Sequence, residues 1–183
     1  MNIMSVYQPS DDSDLLINAI VNLKNNNALE IGIGSGIILQ SLSSNNDSVV
    51  GVDINQESLD YAISYLQKLN LHKNVDLILG DGPTMFDSET FDLIIFNPPY
   101  LPHDDYTDRT TDGGKTGLEL TIKWLELSLN LIKNTGKIIF LQSNLTPIDE
   151  YLETLSKSFS VNILQKKKIF FEELYIIEVM HNK

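Results

Sequence analysis

The chain contains no cysteine, so it can build neither a disulfide framework nor a thiolate zinc site of its own. Histidine is almost as scarce, and His72, His103 and His181 stand far apart, which leaves no spaced imidazole set for a structural metal. No apolar run approaches the roughly 18 residues that cross a bilayer. Residues 1–14 lack a basic n-region and an apolar h-region, so the reading is of a cytoplasmic protein without a membrane span or secretory signal. Basic residues are also in deficit, 13 against 25 acidic, for a net charge of −12. A nonspecific grip on nucleic-acid phosphates needs the opposite balance, so the charge points to small molecules or a basic protein partner. What is present is 183 residues, 42% of them hydrophobic, which suits one ordinary core and one domain spanning 1–183.

Leu15, Leu16, Ala19, Ile20 and Leu23 recur at helical spacing after Pro9 and Ser10, with Asp11 and Asp12 at the positive end; this predicts an opening amphipathic helix. Short apolar segments then alternate with helical patterns. Ala28 to Gly34, Val49 to Ile54, Val75 to Leu79 and Phe91 to Phe96 read as buried strands, separated by helices around Ile37 to Leu42 and from Gln56 to Leu69. Leu118, Ile122, Leu125, Leu129 and Ile132 predict a long helix that stops before Asn134 to Gly136, followed by a fifth strand, Lys137 to Leu141. Pro147 begins another helix, and two strand-like runs close the chain, Val161 to Phe171 and Leu174 to Met180, with a turn at Glu172 and Glu173. Asn25 to Asn27 and Asn45 to Asn46 read as turns between elements. Strand and helix taking turns imply an α/β fold with a parallel, Rossmann-like sheet.

Glu30-Ile31-Gly32-Ile33-Gly34-Ser35-Gly36 follows the first strand and opens a helix, the switch point where such sheets bind nucleotide-like ligands. Position 37 is Ile37, so the spacing is not the dinucleotide fingerprint; it is the G-x-G-x-G of S-adenosylmethionine (SAM) binders. Asp53 ends the second strand, where a carboxylate can accept both ribose hydroxyls, although a capping aspartate before Gln56 has the same appearance. Asp81 and Gly82 end the third strand, where a carboxylate and a backbone N–H can read an adenine edge or simply make a turn. Asn97-Pro98-Pro99-Tyr100, after the fourth strand, is the sharpest signal. An amide nitrogen or exocyclic amine is a poor nucleophile because its lone pair is delocalised. The Asn97 oxygen and the Pro98 carbonyl can accept its N–H groups, aim it and stabilise the developing positive charge. Pro98 and Pro99 stiffen the backbone, and Tyr100 offers a flat face to a planar acceptor; the bland alternative is a plain Asn-Pro turn.

Other patterns carry less. Gly114-Lys115-Thr116 resembles the end of a P-loop, but Arg109 stands where the first glycine belongs. His103, Asp104 and Asp105 lack further spaced ligands and read as a solvated loop, and Lys166 to Lys168 as the exposed start of a late strand.

Tyr7-Gln8-Pro9-Ser10-Asp11-Asp12-Ser13, the Glu30 to Gly36 loop, Asp53, Asn97 to Tyr100 and Gly113 to Glu119 together resemble the HemK family of class I SAM-dependent methyltransferases, most closely its short archaeal and eukaryotic branch. That resemblance implies a doubly wound seven-stranded sheet of order 3-2-1-4-5-7-6, with SAM over the first two strands. It implies methyl transfer to the side-chain amide nitrogen of the glutamine in the Gly-Gly-Gln loop of a class I translation release factor. By it, Asp12 and Ser13 belong to an N-terminal motif that closes over the cofactor. Glu30, Gly32 and Gly34 form its binding loop, Asp53 with Ile54 takes the ribose, Asp81 and Gly82 the adenine, and Asn97 touches cofactor and substrate. No metal ligand is implied in this chain, but a small zinc-binding activator protein on the exposed sheet edge is. The competing readings are an N6-adenine methyltransferase, against which the net charge and the lack of a base-flipping domain stand, and a SAM-fold binding subunit without catalysis.

Overall fold

The computed structural model describes residues 6–7, 10–103 and 111–182; the sequence readings at Pro9, Asp104, Asp105 and Arg109 lie outside these. In chain order the elements are α1 (Asp11–Ile20), β1 (Asn25–Ile31), α2 (Ile37–Asn45), β2 (Asn46–Asp53), α3 (Gln56–Lys68), β3 (Val75–Leu79), β4 (Phe91–Phe96), α4 (Glu119–Leu131), β5 (Ile132–Ser143), α5 (Ile148–Leu155), β6 (Phe159–Ile169) and β7 (Glu172–His181). The strands form one seven-stranded sheet in the order β3-β2-β1-β4-β5-β7-β6. The first five are parallel and β7 is antiparallel to both of its neighbours. The resemblance implied this order, and β3 is accordingly an edge. No helix among the described residues is long and apolar enough to cross a membrane.

Pleating divides the strand residues between two cores. Ala28, Leu93, Ile95, Ile139 and Leu141 face one side, where α1, α2 and α3 bring Leu16, Leu39, Ala62 and Leu66. The residues between them, Leu29, Ile94, Phe96, Ile138 and Phe140, face the other, under Trp124 and Leu125 of α4 and Leu152 of α5. Because both faces are covered, the central strands are continuous apolar runs without polar alternation. Within α4 the fully packed positions are Thr121, Trp124, Leu125, Ser128 and Leu131. The leucine and isoleucine spacing therefore located the helix while missing two small polar residues and a tryptophan on its inner face.

Several boundaries differ from the sequence reading, each for a local reason. Asn25 to Asn27 are strand, not turn, because side chains extend the ladder: Asn25 N–H donates to Asn46 Oδ1 (3.1 Å) and Asn27 N–H to Asp92 (3.0 Å). Asn46 correspondingly begins β2, and Gly32, at φ +77, ends β1 before the predicted Gly34. Ile132 starts β5 instead of ending the helix. It pairs with Phe91 while Lys137 pairs with Leu93, so Asn134 to Gly136 lie in a bulge and not at a helix stop. The last turn is Phe170 and Phe171, with Ile169 paired to Glu172; Glu172 and Glu173 already belong to β7, and Lys166 to Lys168 lie at the end of β6, not at its start.

Gly36, which precedes α2, shows how closely the layers meet: at φ +78, a Cβ there would lie 2.9 Å from the Cβ of Ala62 on α3. Left-handed backbone strain and overpacking of two helices act together. Gly36→Ala should lower unfolding free energy by about 2 kcal/mol, read as a shifted urea midpoint at unchanged slope.

Candidate functional site

A cleft of about 880 Å³ opens over the C-terminal ends of β1, β2 and β4, lined among others by Asp12, Glu30, Asp53, Gly82, Asn97 and Trp124. Its volume falls within the range of small-molecule sites, and its location is the usual one in a doubly wound sheet. Ser13, Gly32, Gly34, Ile54, Asp81, Pro98, Pro99 and Tyr100 also line it. Every residue singled out for a site from the sequence thus lies around one cavity.

Strand parity aims the key groups. Asn97 follows Phe96 and so has the parity of Leu93 and Ile95, facing α1. There its Nδ2 donates to Asp12 Oδ2 at 3.0 Å, while its Oδ1 is buried with no hydrogen-bond partner. Asp12 sits in the first turn of α1, 3% exposed. It also accepts from the hydroxyls of Tyr7 and Ser10 and from Ser13 N–H (2.6 Å). Burial alone would raise its pKa, but the bonds from Asn97, Ser10, Tyr7 and Ser13 outweigh it and hold the carboxyl below the usual range. Burial raises Tyr7 and Tyr100 above the usual phenol range, the Asp12 carboxylate adding to both. Under these conditions the amide of Asn97 takes one orientation: nitrogen toward the anion, oxygen away from it.

The loop after β1 carries Gly32, Gly34 and Gly36 at positive φ. Its empty sides are filled by protein. A Cβ on Gly32 would lie 3.0 Å from the Trp124 ring and one on Gly34 3.3 Å from Tyr7 Cβ. Glycine here admits aromatic side chains as well as any ligand. Asp53 Oδ2 accepts from Gly34 N–H (3.1 Å) and Oδ1 from Asn55 N–H (2.8 Å), and capping of α3 falls to Asn55, which accepts from Glu57 N–H at 3.0 Å. The Asp53 carboxylate therefore braces the loop and retains lone pairs for further donors. Ile54 beside it is 72% exposed. Asp81 lies two residues beyond β3 and pairs with Lys123 at 3.0 Å, both at the surface, where such pairs add little.

Glu30 is the most unusual ionisable group here: 1% exposed, with neither carboxyl oxygen in a formed hydrogen bond. Burial first, and then the charge of Asp53, push its pKa well above the usual value. The indole Nε1 of Trp124 is also buried and unpaired. Glu30, Asn97 Oδ1 and Trp124 Nε1 are thus three unmet polar groups on one cleft, each costing about 1–3 kcal/mol until a ligand answers it. Glu30, an anion in waiting, and the Trp124 donor fit a cationic ligand that also carries acceptors, and the Asn97 acceptor fits an N–H group beside it.

The Gly113 to Glu119 segment supports Asn97 to Tyr100 and does not cradle phosphate. A Cβ on Gly113 would lie 2.6 Å from the Pro99 carbonyl, and one on Gly117 2.3 Å from that of Tyr100. Glu119 consumes the loop's donors, accepting from Thr116 N–H (3.0 Å) and Leu118 N–H (3.2 Å). Below it Gln142 donates to Gly117 O (3.3 Å) and Thr146 Oγ1 (2.9 Å). His103 pairs with Asp112 at 2.7 Å in an exposed loop. Sequence reasoning missed Trp124 and gave Tyr7 no role. The one tryptophan of the chain stood in a helix whose periodicity was already explained by leucines, and nothing local links Tyr7 to a strand end ninety positions on.

The state of Glu30 generates a test. Because its folded pKa is raised, the folded chain holds a proton that the unfolded chain has released. Its contribution to stability is complete below the ordinary carboxylate range and is lost as pH climbs toward the raised value. As pH rises from the ordinary carboxylate range toward the raised value the ligand-free protein should lose this contribution, and Glu30→Gln should flatten the decline in pH-dependent thermal melts. An unchanged slope contradicts the assignment.

The methyltransferase small domain family matches residues 2–171. A Methanocaldococcus jannaschii protein described as a "putative protein N5-glutamine methyltransferase" is 36% identical over 182 residues, covering 94% of this chain and 90% of that protein. A release factor glutamine methyltransferase of Fusobacterium nucleatum is 30% identical over 74% of this chain but only 43% of its own length, and one of Streptococcus pneumoniae 31% identical over 73% and 52%. The chain thus spans about half the length of these bacterial relatives. Among solved structures, the E. cuniculi Mtq2-Trm112 complex, described as responsible for methylation of the eRF1 translation termination factor, matches with a TM-score of 0.78 and 26% identity over 97% of this chain and 99% of that one. Fold, cleft and these likenesses agree, and the chain belongs to the methyltransferase small domain family, within the HemK group of class I methyltransferases.

Proposed function

We propose that the protein transfers a methyl group from SAM to the side-chain amide nitrogen of a glutamine, in the Gly-Gly-Gln loop of a class I translation release factor. One observation carries the reading: Asn97 Oδ1 is a buried acceptor without a partner, held in that orientation by the bond from Nδ2 to Asp12. The names of the relatives supply the acceptor class. When bound, SAM supplies an electrophilic methyl on a cationic sulfur. Glu30, Gly32 and Gly34 would hold its methionine end, Asp53 and Ile54 its ribose, Asp81 and Gly82 its adenine, and the buried carboxyl of Glu30 suits a positively charged ligand.

The chain's own contribution is positioning. A glutamine amide N–H donates to Asn97 Oδ1, and a second N–H to the Pro98 carbonyl, so the nitrogen is turned toward the methyl, its growing positive charge meets two oriented dipoles, and one of its two protons passes to solvent water as the N–C bond forms. Asp12, a positioning residue, fixes and polarises Asn97 from behind, and Ser13 N–H holds Asp12. Pro98 and Pro99 limit backbone freedom and Tyr100 packs against the planar amide. The partner is proposed to be a small zinc-binding activator covering the β3 edge, where Leu79 is 55% exposed; the Mtq2-Trm112 complex supports the presence of a protein partner. A translation factor as acceptor places the reaction in the cytoplasm.

Incubation with methyl-labelled SAM and release factor, with and without such a partner, followed by mapping of the label, tests the proposal. Label on the Gly-Gly-Gln glutamine is the expected result; label on adenine of nucleic acid, or none at all, would replace it. Asn97→Ala should leave SAM affinity nearly unchanged and lower turnover by about 10² to 10³. Asp12→Ala should also act on kcat more than on KM, falling about tenfold or more as the Asn97 amide loses its fixed orientation. Single-turnover assays beside calorimetric SAM binding separate these outcomes.

A further inference from the structure

The carboxyls of Asp12, Glu30, Asp53, Asp81 and Asp112 line the cleft, and no lysine, arginine or histidine stands among its described lining residues. Four of these carboxyls are answered. Asp12 accepts from Asn97, Tyr7, Ser10 and Ser13, and Asp53 from the N–H groups of Gly34 and Asn55. Toward the outside, Asp81 pairs with Lys123 at 3.0 Å and Asp112 with His103 at 2.7 Å. Glu30 alone among them has neither oxygen in a hydrogen bond, and it is 1% exposed.

The elements around Glu30 bring it no cation. On β1 it has the parity of Ala28, toward α1, α2 and α3. α2 carries no titratable side chain; its Leu39 N–H favours the ionised form without closing a hydrogen bond. α3 reaches the cleft with Ser58, which does not titrate in this range, β2 with Asp53, the start of α1 with Asp12, the segment before it with the Tyr7 phenol, and the chain after β4 with the Tyr100 phenol. An ionised Glu30 in the empty cleft would be a buried anion facing other acids. Such a group keeps its proton instead.

A bound cation reverses the balance, because an opposite charge within several ångströms favours the ionised carboxyl. SAM carries a sulfonium, an ammonium and a carboxylate. S-adenosylhomocysteine (SAH), left after transfer, keeps the last two and has an uncharged sulfur. We propose that Glu30 discriminates cofactor from product by charge: it holds its proton in the empty cleft, gives it to water when the sulfonium ligand binds, and takes one back once the sulfur is neutral. This rests on the functional reading above and adds to it a reason for product to be held less firmly than cofactor. The exchange breaks and re-forms one O–H bond and needs no reactant besides water.

The sign follows from linkage. The bound cation lowers a pKa that burial and Asp53 had raised, so protons are released between the two values, and there SAM binding strengthens as pH rises while SAH binding strengthens less.

Calorimetric titration with SAM and with SAH, at equal pH in phosphate and in Bis-Tris, tests this, since the difference in heat between buffers counts the protons released. The pH series runs from the ordinary carboxylate range to neutrality, where both ligands hold their ammonium. At its maximum the wild type should release about half a proton or more per SAM beyond the count for SAH, and the ratio of SAM to SAH affinity should there rise about threefold or more per pH unit. Glu30→Gln, similar in shape and always neutral, should remove that excess and flatten the ratio. Equal counts for SAM and SAH in the wild type overturn the proposal, a comparison that needs no variant to fold. An excess that survives in Glu30→Gln overturns it too, and moves the proton to another carboxyl. A chain that binds neither ligand, alone or with its partner, instead rejects the functional reading, and the inference with it.

Discussion

The hydrogen bond from Asn97 Nδ2 to the buried Asp12 carboxylate is the constraint around which the cleft is organised. A free carboxamide can rotate by half a turn at little cost, exchanging acceptor for donor. With a carboxylate on one side, that exchange would set oxygen against anion. Asp12 can remain ionised at 3% exposure only because donors from four residues converge on it, three of these residues lying around the start of α1. The start of α1, the strap at Tyr7 and the end of β4 are therefore coupled, and displacing any of them would release the amide.

The sheet supplies the precision this coupling needs. Both of its faces are buried, so each central strand is held in register by neighbours and by packing above and below. The parity of β4 leaves Asn97 on the α1 side without further adjustment. Glu30 and Asp53 share the same logic on β1 and β2: Glu30 pairs with Gly51, two positions before Asp53, so the two carboxyls lie on one face, and the charge of Asp53 helps to keep Glu30 protonated. Gly51 carries no side chain there because Ile33 and Leu39 occupy that space; a Cβ would lie 2.9 Å from Ile33 Cδ1.

Glycines in the three loops bordering the cleft each have a structural partner. Gly32 and Gly82 lie against Trp124, Gly34 against Tyr7, Gly113 and Gly117 against the carbonyls of Pro99 and Tyr100. Two aromatic side chains from distant segments thus shape the cleft walls, and a loop resembling a phosphate cradle in sequence becomes a splint for the Asn97 turn. Its Glu119 occupies the amides that a phosphate would have used.

The sequence by itself determined the alternation of strands and helices, the glycine loop after β1, the carboxylate at the end of β2 and the Asn97 to Tyr100 turn, because each is a local pattern within one element or one junction. Resemblance added the strand order. Only the tertiary structure decided which of those groups meet. That Asp12 grips Asn97, that Trp124 underlies two glycine turns and that Asn25 pairs with Asn46 depend on contacts across the sheet, for which a linear pattern holds no signal. Boundaries moved for the same reason: side-chain donors lengthened β1, and a bulge opposite Asp92 carried Asn134 to Gly136 into β5. The final turn fell on Phe170 and Phe171, not on the glutamates, since pairing register, set by the packing of β7 between β5 and β6, outweighs the local preference of turns for polar residues.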